Sequence, residues 1–312
     1  MNSFIASVNA VLPIFLMFSL GYLLRKIKLV DDDLVTRVNK LVFKIFLPLM
    51  LFNNIYQSDL TKVFNVKLIV FAILSVVITF ILSLLFITSI RKEPKRRGAM
   101  IQAIFRSNYV ILGIPVITAL FGEKNTVIPS LLAAFVVPVF NLLAVITLEV
   151  FRGNKPKLTQ ILKSIIKNPL IIASILGILT SIIGIKFPIV ISSTIKTIGS
   201  VATPLPLVML GAFFRFDSVK QNFKDIVICT FGRLIIIPLL GSIAAVLLGF
   251  RGVEFASLLI MFSAPPAIAS FTMAQQMESD SRLAGETVIV SSSLSCLTIF
   301  LWVFLYSSIG II

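Results

Sequence analysis

Histidine is absent from this chain of 312 residues, and acidic residues are scarce: 13 Asp and Glu stand against 28 Lys and Arg. Without imidazoles the chain lacks the usual proton relay near neutral pH and most zinc chemistry. The only cysteines, Cys229 and Cys296, lie in apolar segments, which argues against a disulfide framework. Paired central carboxylates, nucleophile–base spacings and glycine-rich phosphate loops are missing too. The sequence therefore indicates neither an enzyme nor an ATP-driven pump.

Apolar residues dominate what is present. They make up 58% of the chain, and charged residues only 13%. Soluble proteins are about 45–50% apolar and about 25% charged. Runs of about 20 apolar residues recur, each long enough to cross roughly 30 Å of hydrocarbon. This composition predicts an all-α polytopic protein of the cell membrane, surrounded by the lipid bilayer. The amino-terminal residues show no basic leader, so the first run is interpreted as a retained helix.

The apolar runs divide into ten predicted transmembrane spans joined by short polar segments. Their approximate limits are 6–25, 37–56, 67–90, 99–121, 127–150, 168–186, 190–214, 225–249, 254–277 and 283–310. The longest joint, 151–167, is a basic linker that is predicted to end in an amphipathic helix at Leu158–Lys167. We therefore expect a first five-helix unit at 1–150, a cytoplasmic linker at 151–167 and a second five-helix unit at 168–312.

Basic residues are distributed unequally between the joints. The even-numbered joints hold only Lys62, Lys67, Lys124, Lys186 and Arg251, whereas the odd-numbered joints carry basic clusters such as RKEPKRR. By the positive-inside rule the odd joints face the cytoplasm, and ten spans then place both termini outside. The basic charge is explained by orientation, and no nucleic-acid partner is predicted.

Two sequence similarities relate the halves of the chain. FLPLMLF (Phe46–Phe52) in span two is similar to PLPLVMLG (Pro204–Gly211) in span seven, and FRSNYVILGIP in span four to MFSAPPAIASF in span nine. The offset is five spans in both cases, and because five is odd the second half is inverted relative to the first. Inverted repeats are typical of transporters. Chance similarity among apolar helices remains an alternative.

Proline interrupts the similar segments of spans four and nine. Proline removes a backbone hydrogen bond and pushes the preceding residue away from helical angles, and Gly113 adds backbone freedom. The sequence predicts unwinding around Asn108–Pro115 and around Ser263–Pro266, with both breaks meeting near the bilayer centre. Free amino ends of half-helices attract anions. The alternative is that these prolines only produce packing kinks.

Three cations, Lys44, Arg106 and Arg233, lie inside predicted spans, each about eight residues or roughly 12 Å from a cytoplasmic helix start. They are interpreted either as an electropositive inner vestibule or as side chains that snorkel to the interface. Carboxylates lie near helix ends, so no cofactor is predicted and coupling to H⁺ or Na⁺ stays open. Asn53 and Asn54 either face a moving domain or cap a helix.

The segment SNYVILGIPVITALFG (Ser107–Gly122) resembles the fourth-helix motif of the auxin efflux carrier family, whose plant PIN-FORMED members have Pro-Asn-Thr-Leu-x-x-Gly-Ile-Pro there. SAPPAIASFTMAQQM (Ser263–Met277) resembles the family's ninth-helix crossover, and FLPLMLFNNI (Phe46–Ile55) its second helix. The resemblance covers essentially the whole chain. Its most specific part is Asn108 with the Gly113-Ile114-Pro115 triplet.

The resemblance implies a ten-helix carrier built as a five-plus-five inverted repeat. Helices one, two, six and seven would form a scaffold, helices three to five and eight to ten a moving transport domain, and helices four and nine would cross beside the substrate. Asn108, Pro115 and Pro265 would occupy that crossover. Ser107 stands where the plant motif has proline, and the short linker (Phe151–Lys167) resembles the bacterial branch, whose members are often assigned to malate, malonate or other carboxylates.

The resulting hypothesis is a secondary transporter of small organic anions, either carboxylates such as malate and malonate or auxin-like indole carboxylates. It would work by alternating access at a helix crossover. A channel that uses the same broken helices is the alternative, and a homodimer stays open. The predicted substrate-binding residues are Asn53, Arg106, Ser107, Asn108, Gly113, Pro115, Arg233, Ser263, Pro265 and Pro266. No metal site is predicted.

Overall fold

The computed structural model describes residues 2–57, 65–153 and 158–312. In these ranges all the regular structure is helical. The α-helices are α1 (Asn2–Lys26), α2 (Asp32–Leu41), α3 (Leu47–Tyr56), α4 (Val66–Ile90), α5 (Pro94–Phe105), α6 (Tyr109–Phe121), α7 (Val127–Val150), α8 (Leu158–Lys167), α9 (Pro169–Ile183), α10 (Ile189–Ser200), α11 (Pro204–Phe213), α12 (Phe216–Phe231), α13 (Ile237–Leu247), α14 (Gly252–Ser263), α15 (Ala269–Gln276) and α16 (Ser281–Ser308).

The predicted all-helical membrane architecture is confirmed. Helices occupy each of the ten predicted ranges. Among the described residues, six stretches are long and apolar enough to cross a bilayer: Val66–Ile90, Pro94–Phe121, Val127–Val150, Ile189–Phe213, Phe216–Leu247 and Ser281–Ser308. A bent pair, Ile161–Lys167 with Pro169–Ile183, raises the number to seven. The ten crossings, the inverted repeat and the two-domain division stay predictions.

The helix expected in the linker is confirmed as α8, with the predicted limits Leu158–Lys167. It meets α9 at an angle of 56°. Asn168 forms the corner, because its side-chain oxygen accepts a hydrogen bond from the backbone N–H of Leu170 at 2.9 Å. Pro169 follows at the first position of α9, where a missing N–H costs nothing. These local signals fix where the linker ends and the second half begins.

Two short π-helical turns, Val42–Phe46 and Gly232–Ile236, join α2 to α3 and α12 to α13. Each is followed by a proline, Pro48 or Pro238, at the start of the next helix. Proline cannot donate to the carbonyl four residues earlier. For Pro238 that carbonyl belongs to Leu234, and the indole N–H of Trp302 donates to it at 3.0 Å. A side chain of α16 thus satisfies a backbone group that has no water available in the membrane.

Helices α1 and α11 approach so closely that their backbones touch. A Cβ added to Gly21 would lie 1.9 Å from the carbonyl oxygen of Val208, and one added to Gly211 would lie 2.1 Å from the carbonyl oxygen of Phe18. Small residues permit such close packing between membrane helices. Van der Waals contacts hold these helices together, because the lipid around them is as apolar as their side chains. The two glycines therefore define a reciprocal contact that only glycine allows.

We expect Gly21→Ala to destabilise the protein by about 2 kcal/mol or more, because the methyl group collides with backbone and not with a movable side chain. The melting temperature in detergent should fall by roughly 5 °C. Gly153→Ala is the control, since no atom of the described residues lies within 4 Å of a Cβ at that position. Equal melting temperatures for the two variants would contradict the contact.

Candidate functional site

The first helix break lies at residues 106–108, between α5 and α6. The predicted unwinding across Asn108–Pro115 is therefore wrong in position, because Gly113 and Pro115 both lie inside α6. Pro115 is exposed, so its missing hydrogen bond is a local defect that does not end the helix. A Cβ at Gly113 would lie 2.5 Å from the ring of Tyr109. Gly113 thus makes room for an aromatic ring, which is a packing role.

The second break covers residues 264–268, between α14 and α15. Pro265 and Pro266 are buried inside it, close to where the sequence placed the unwinding. Ser263 is the last residue of α14, and its hydroxyl donates to the carbonyl of Leu259 in its own helix at 2.8 Å. Two consecutive prolines lack two N–H donors, so the helix ends there and starts again at Ala269.

The two breaks are in direct contact. The backbone N–H of Asn108 donates to the carbonyl of Pro265 at 2.8 Å. The hydroxyl of Ser107 donates to the carbonyl of Met261, in the last turn of α14, at 2.8 Å. Each break therefore satisfies backbone groups that the other leaves free, which is how non-helical backbone is tolerated inside a membrane protein.

The side chain of Arg233 connects the two breaks through hydrogen bonds to backbone carbonyls on both sides. Its guanidinium donates to the carbonyls of Ala264 and Met261 at 2.7 Å each, and to those of Ile104 and Phe105 at 3.3 Å each. These carbonyls belong to the carboxyl ends of α5 and α14, which carry partial negative charge. Arg233 is 1% exposed. The snorkelling interpretation is wrong for this residue, and it does not line the cavity described next.

A cavity of about 80 Å³ lies on the other side of the breaks, and we call it the crossover cavity. The amino ends of α6 and α15 both open onto it. Its lining residues are Leu47, Met50, Leu51, Arg106, Ser107, Asn108, Val110, Ile111, Val137, Phe140, Asn141, Leu170, Ala202, Thr203, Ala267, Ile268 and Ala269. Arg106 is the single charged residue of this lining.

Arg106 is 4% exposed, so it does not snorkel either. Its guanidinium donates to the Asn141 side-chain oxygen at 2.5 Å and to that of Gln102 at 3.2 Å, and it lies 2.8 Å from the sulfur of Met273. All three partners are neutral. Within the described part of the chain, Arg106 has no ion pair with a carboxylate.

Two further polar side chains beside Arg106 have amide N–H groups without a hydrogen-bond partner among the described residues. Asn108 is 6% exposed and lines the crossover cavity, and its side-chain Nδ2 has no hydrogen-bond partner among the described residues. The Nε2 of Gln102 is likewise unpartnered in that part of the chain. Both are donors. Buried donors without acceptors are uncommon in native proteins, and they indicate a place for an acceptor ligand or water.

The crossover cavity includes some of the residues predicted from the sequence and lacks others. Of the ten predicted residues, Arg106, Ser107 and Asn108 line the cavity. The other seven are absent from its lining: Asn53, Gly113, Pro115, Arg233, Ser263, Pro265 and Pro266. Asn53 is half-buried on α3, and Lys44, which is exposed, agrees with snorkelling. Asn141 was missed, although a lone Asn in the middle of an apolar helix, three residues after Pro138, was a visible signal.

Two larger pockets lie above and below the crossover cavity, and we name them by the predicted topology. The outer pocket, about 460 Å³, shares Leu51, Val110 and Val137 with the cavity. The inner basic pocket, about 340 Å³, shares no residue with it. Its lining residues are Phe43, Glu149, Arg152, Lys163, Ser164, Lys167, Asn168, Pro169, Gln276 and Met277. The cavity thus adjoins the outer pocket and is separated from the inner one.

An ion-pair group stands at the inner basic pocket. Glu149 and Arg152 form an i,i+3 ion pair at 3.7 Å, but Arg152 lies closer to Glu278, at 2.5 Å. The Arg152 guanidinium donates a hydrogen bond to that carboxylate, which holds the pKa of Glu278 below its ordinary value and raises the pKa of Arg152. Both groups are therefore ionised at neutral pH.

Comparison with known proteins decides the family. A family model described as membrane transport protein matches residues 6–303. The chain belongs to this family, and the resemblance to the auxin efflux carriers is confirmed. Relatives include an uncharacterized transporter of Methanothermobacter thermautotrophicus, 23% identical over 96% of this chain and 98% of the relative. Others come from Methanocaldococcus jannaschii, 24% identical over 95% and 97%, and Escherichia coli, 22% identical over 95% and 96%.

Membership in a transporter family, together with several apolar spans, makes this chain a multi-pass membrane transporter. Its relatives carry the word transporter in their names, without a substrate.

Proposed function

We propose that this membrane transporter is a secondary carrier of small organic anions that bind in the crossover cavity. The observation that carries the proposal is Arg106, a buried guanidinium at the cavity wall whose partners are all neutral. An unpaired charge removed from water is costly, and in a membrane protein it marks a substrate path. A carboxylate in the cavity would supply the missing counter-charge.

The backbone around Arg106 strengthens the argument. The amino end of α6 (Asn108, Val110, Ile111) and the residues that lead into α15 (Ala267–Ala269) both line the cavity. Helix amino ends carry partial positive charge, which adds to that of Arg106 instead of offsetting it. Two helix ends, one guanidinium and the free Nδ2 of Asn108 all favour an anionic acceptor.

Arg233 differs from Arg106 in the groups that surround its guanidinium. It is equally buried, but the carboxyl ends of two helices surround it and their carbonyls balance its charge. Arg106 has no such compensation. One arginine therefore stabilises the paired breaks, and the other is left to recognise a ligand.

The arrangement of the pockets supports alternating access. The crossover cavity shares a wall with the outer pocket and none with the inner basic pocket, so this conformation corresponds to access from the outer side. Movement of the predicted transport domain against the scaffold would then expose the cavity to the inner side. Malate, malonate and indole carboxylates are the substrates we propose for testing.

Asn108→Ala tests the proposed site. In reconstituted vesicles the wild-type protein should take up at least one labelled carboxylate with saturable kinetics, and Asn108→Ala should reduce kcat/KM by about tenfold or more, since a hydrogen bond to a charged group contributes about 1.5–3 kcal/mol. Asn125→Ala is the matched control, because that side chain bonds the carbonyl of Phe121 in a surface turn. Unchanged uptake by Asn108→Ala would remove Asn108 from the site, and non-saturating currents would favour a channel.

A further inference from the structure

The inner basic pocket is surrounded by the same parts of the chain as the crossover cavity. On α7, Asn141 lines the cavity and Glu149 lines the pocket, a separation of eight residues or roughly 12 Å. On α15, Ala269 lines the cavity and Gln276 the pocket, roughly 10 Å apart.

Two further segments of the chain also line both the crossover cavity and the inner basic pocket. At the start of α9, Leu170 lines the cavity, and Asn168 and Pro169 line the pocket. Leu47, the first residue of α3, lines the cavity, and Phe43, about one turn earlier in the π-helical turn, lines the pocket. The pocket therefore lies about one to two helical turns below the cavity, in line with it.

Arg106 lies on the side of the cavity that faces this pocket. Its guanidinium contacts Asn141 on α7 and Met273 on α15, and both side chains are buried. Met273 stands between Ala269 and Gln276 along α15, so it separates the two spaces.

The pocket carries an excess of positive charge. Arg152, Lys163 and Lys167 stand against one carboxylate, Glu149, in its lining. Arg152 is engaged by Glu149 and Glu278. Lys163 and Lys167, one turn apart on α8, are exposed and have no ion pair among the described residues. Two lysines on one helical face beside a pocket open to solvent form a place where an anion's oxygens can bind.

We propose that the inner basic pocket is a second anion-binding site, at which a small carboxylate docks at the inner end of the transport path; this rests on the proposed function. Lys163 and Lys167 bind the carboxylate there, and Arg106 binds it in the crossover cavity. The site raises the local concentration of substrate on the inner side alone, because charged clefts concentrate oppositely charged ligands.

The test is the double variant Lys163→Gln/Lys167→Gln in membrane vesicles of both orientations, with labelled malonate, malate and indole-3-acetate as probes. In inside-out vesicles the KM should rise roughly three- to tenfold at unchanged maximal rate. In right-side-out vesicles it should stay the same. Lys220→Gln/Lys224→Gln is the matched control, because these two lysines have the same spacing and exposure on α12. The proposal would be overturned if both double variants changed the KM equally. It would also be overturned if Lys163→Gln/Lys167→Gln changed the KM equally in both vesicle orientations.

A binding measurement separates this proposal from the proposed function. In the Arg106→Met background the main site is disabled, so malonate should still stabilise the purified protein weakly, and the two lysine substitutions should abolish that remainder. If no such lysine-dependent stabilisation exists, the second site is refuted even where wild-type transport is normal. If the wild type transports none of the probes but the lysine-dependent binding persists, the proposed function alone fails.

Lipid headgroups offer anionic oxygens too, and α8 exposes apolar Leu162 and Ile166 beside its lysines. Vesicles of pure phosphatidylcholine and vesicles with added phosphatidylglycerol distinguish the two sources. Substrate docking predicts the same lysine effect on KM in both. An effect confined to phosphatidylglycerol vesicles would identify a lipid as the occupant and would overturn the docking proposal.

Discussion

Arg106→Met is expected to abolish carboxylate uptake in both directions while the protein keeps its fold. Truncating one partner of a buried charged contact commonly costs about 2–5 kcal/mol of binding free energy, or roughly 30- to 5,000-fold in affinity. The fold should tolerate the change, because Arg106 has no carboxylate partner that would be left charged and buried. Only the side-chain oxygens of Gln102 and Asn141 lose a donor, and the adjoining cavity can supply water to Asn141, which lines it.

The measurement is uptake of labelled malonate, malate and indole-3-acetate by reconstituted protein, together with a melting curve of the same preparation. We expect a melting temperature within about 3 °C of wild type. Uptake near the wild-type rate would show that the guanidinium does not bind the substrate. Arg106→Lys is informative as well: it keeps the charge but loses the planar fork, so it should recover only part of the activity.

The same substitution at the other buried arginine should have the opposite outcome. Arg233→Met removes the donor from four carbonyls at the carboxyl ends of α5 and α14. The carbonyl of Met261 keeps the hydroxyl of Ser107 as a donor, whereas each of the other three, left buried without a partner, costs about 1–3 kcal/mol. A total of about 4 kcal/mol or more is expected even after local relaxation, which is exceptional for one substitution. We expect a fall in melting temperature of about 10 °C or more, or failure to purify as a monodisperse protein.

Arg106→Met and Arg233→Met form a matched pair, because they exchange the same residue types at similar burial, 4% and 1% exposed. Melting curves of purified protein measure the stability, and uptake per folded molecule measures the activity. If Arg233→Met melted like wild type, the carbonyl contacts would contribute little to the breaks. If both variants behaved alike, the assignment of separate roles would fail.

The sequence predicted the broken segments but not where each break begins. Gly113 and Pro115 drew attention to α6, yet the break lies before that helix, at residues 106–108. Sequence shows that a proline removes a hydrogen bond, but it does not show whether neighbouring turns continue the helix regardless. At Pro265 and Pro266 two adjacent prolines leave no such choice, and there the predicted position was close.

The charged residues inside the predicted spans were a more informative signal than the prolines. Their roles could be distinguished only from the three-dimensional structure. Arg106 and Arg233 have the same depth from their helix starts, so sequence could not distinguish ligand recognition from carbonyl capping. Apart from Gln102, one turn before Arg106, their hydrogen-bond partners lie 28 or more residues away along the chain. The same holds for Asp225, a residue near a predicted helix end, which Arg91 and Arg96 bind from more than a hundred residues away. Long-range polar contacts of this kind leave no local pattern.

Thermal stabilisation by carboxylates tests the central claim most directly, namely that the crossover cavity at Arg106 and Asn108 binds an anion. A ligand that binds only the folded protein contributes about 2.7 kcal/mol of stability at one hundred times its dissociation constant. We expect at least one of malonate, malate and indole-3-acetate to raise the melting temperature of the wild type by about 5 °C or more, and Arg106→Met to lose most of this shift. A wild-type protein unaffected by every carboxylate, or an Arg106→Met variant stabilised to the same extent, would contradict this claim.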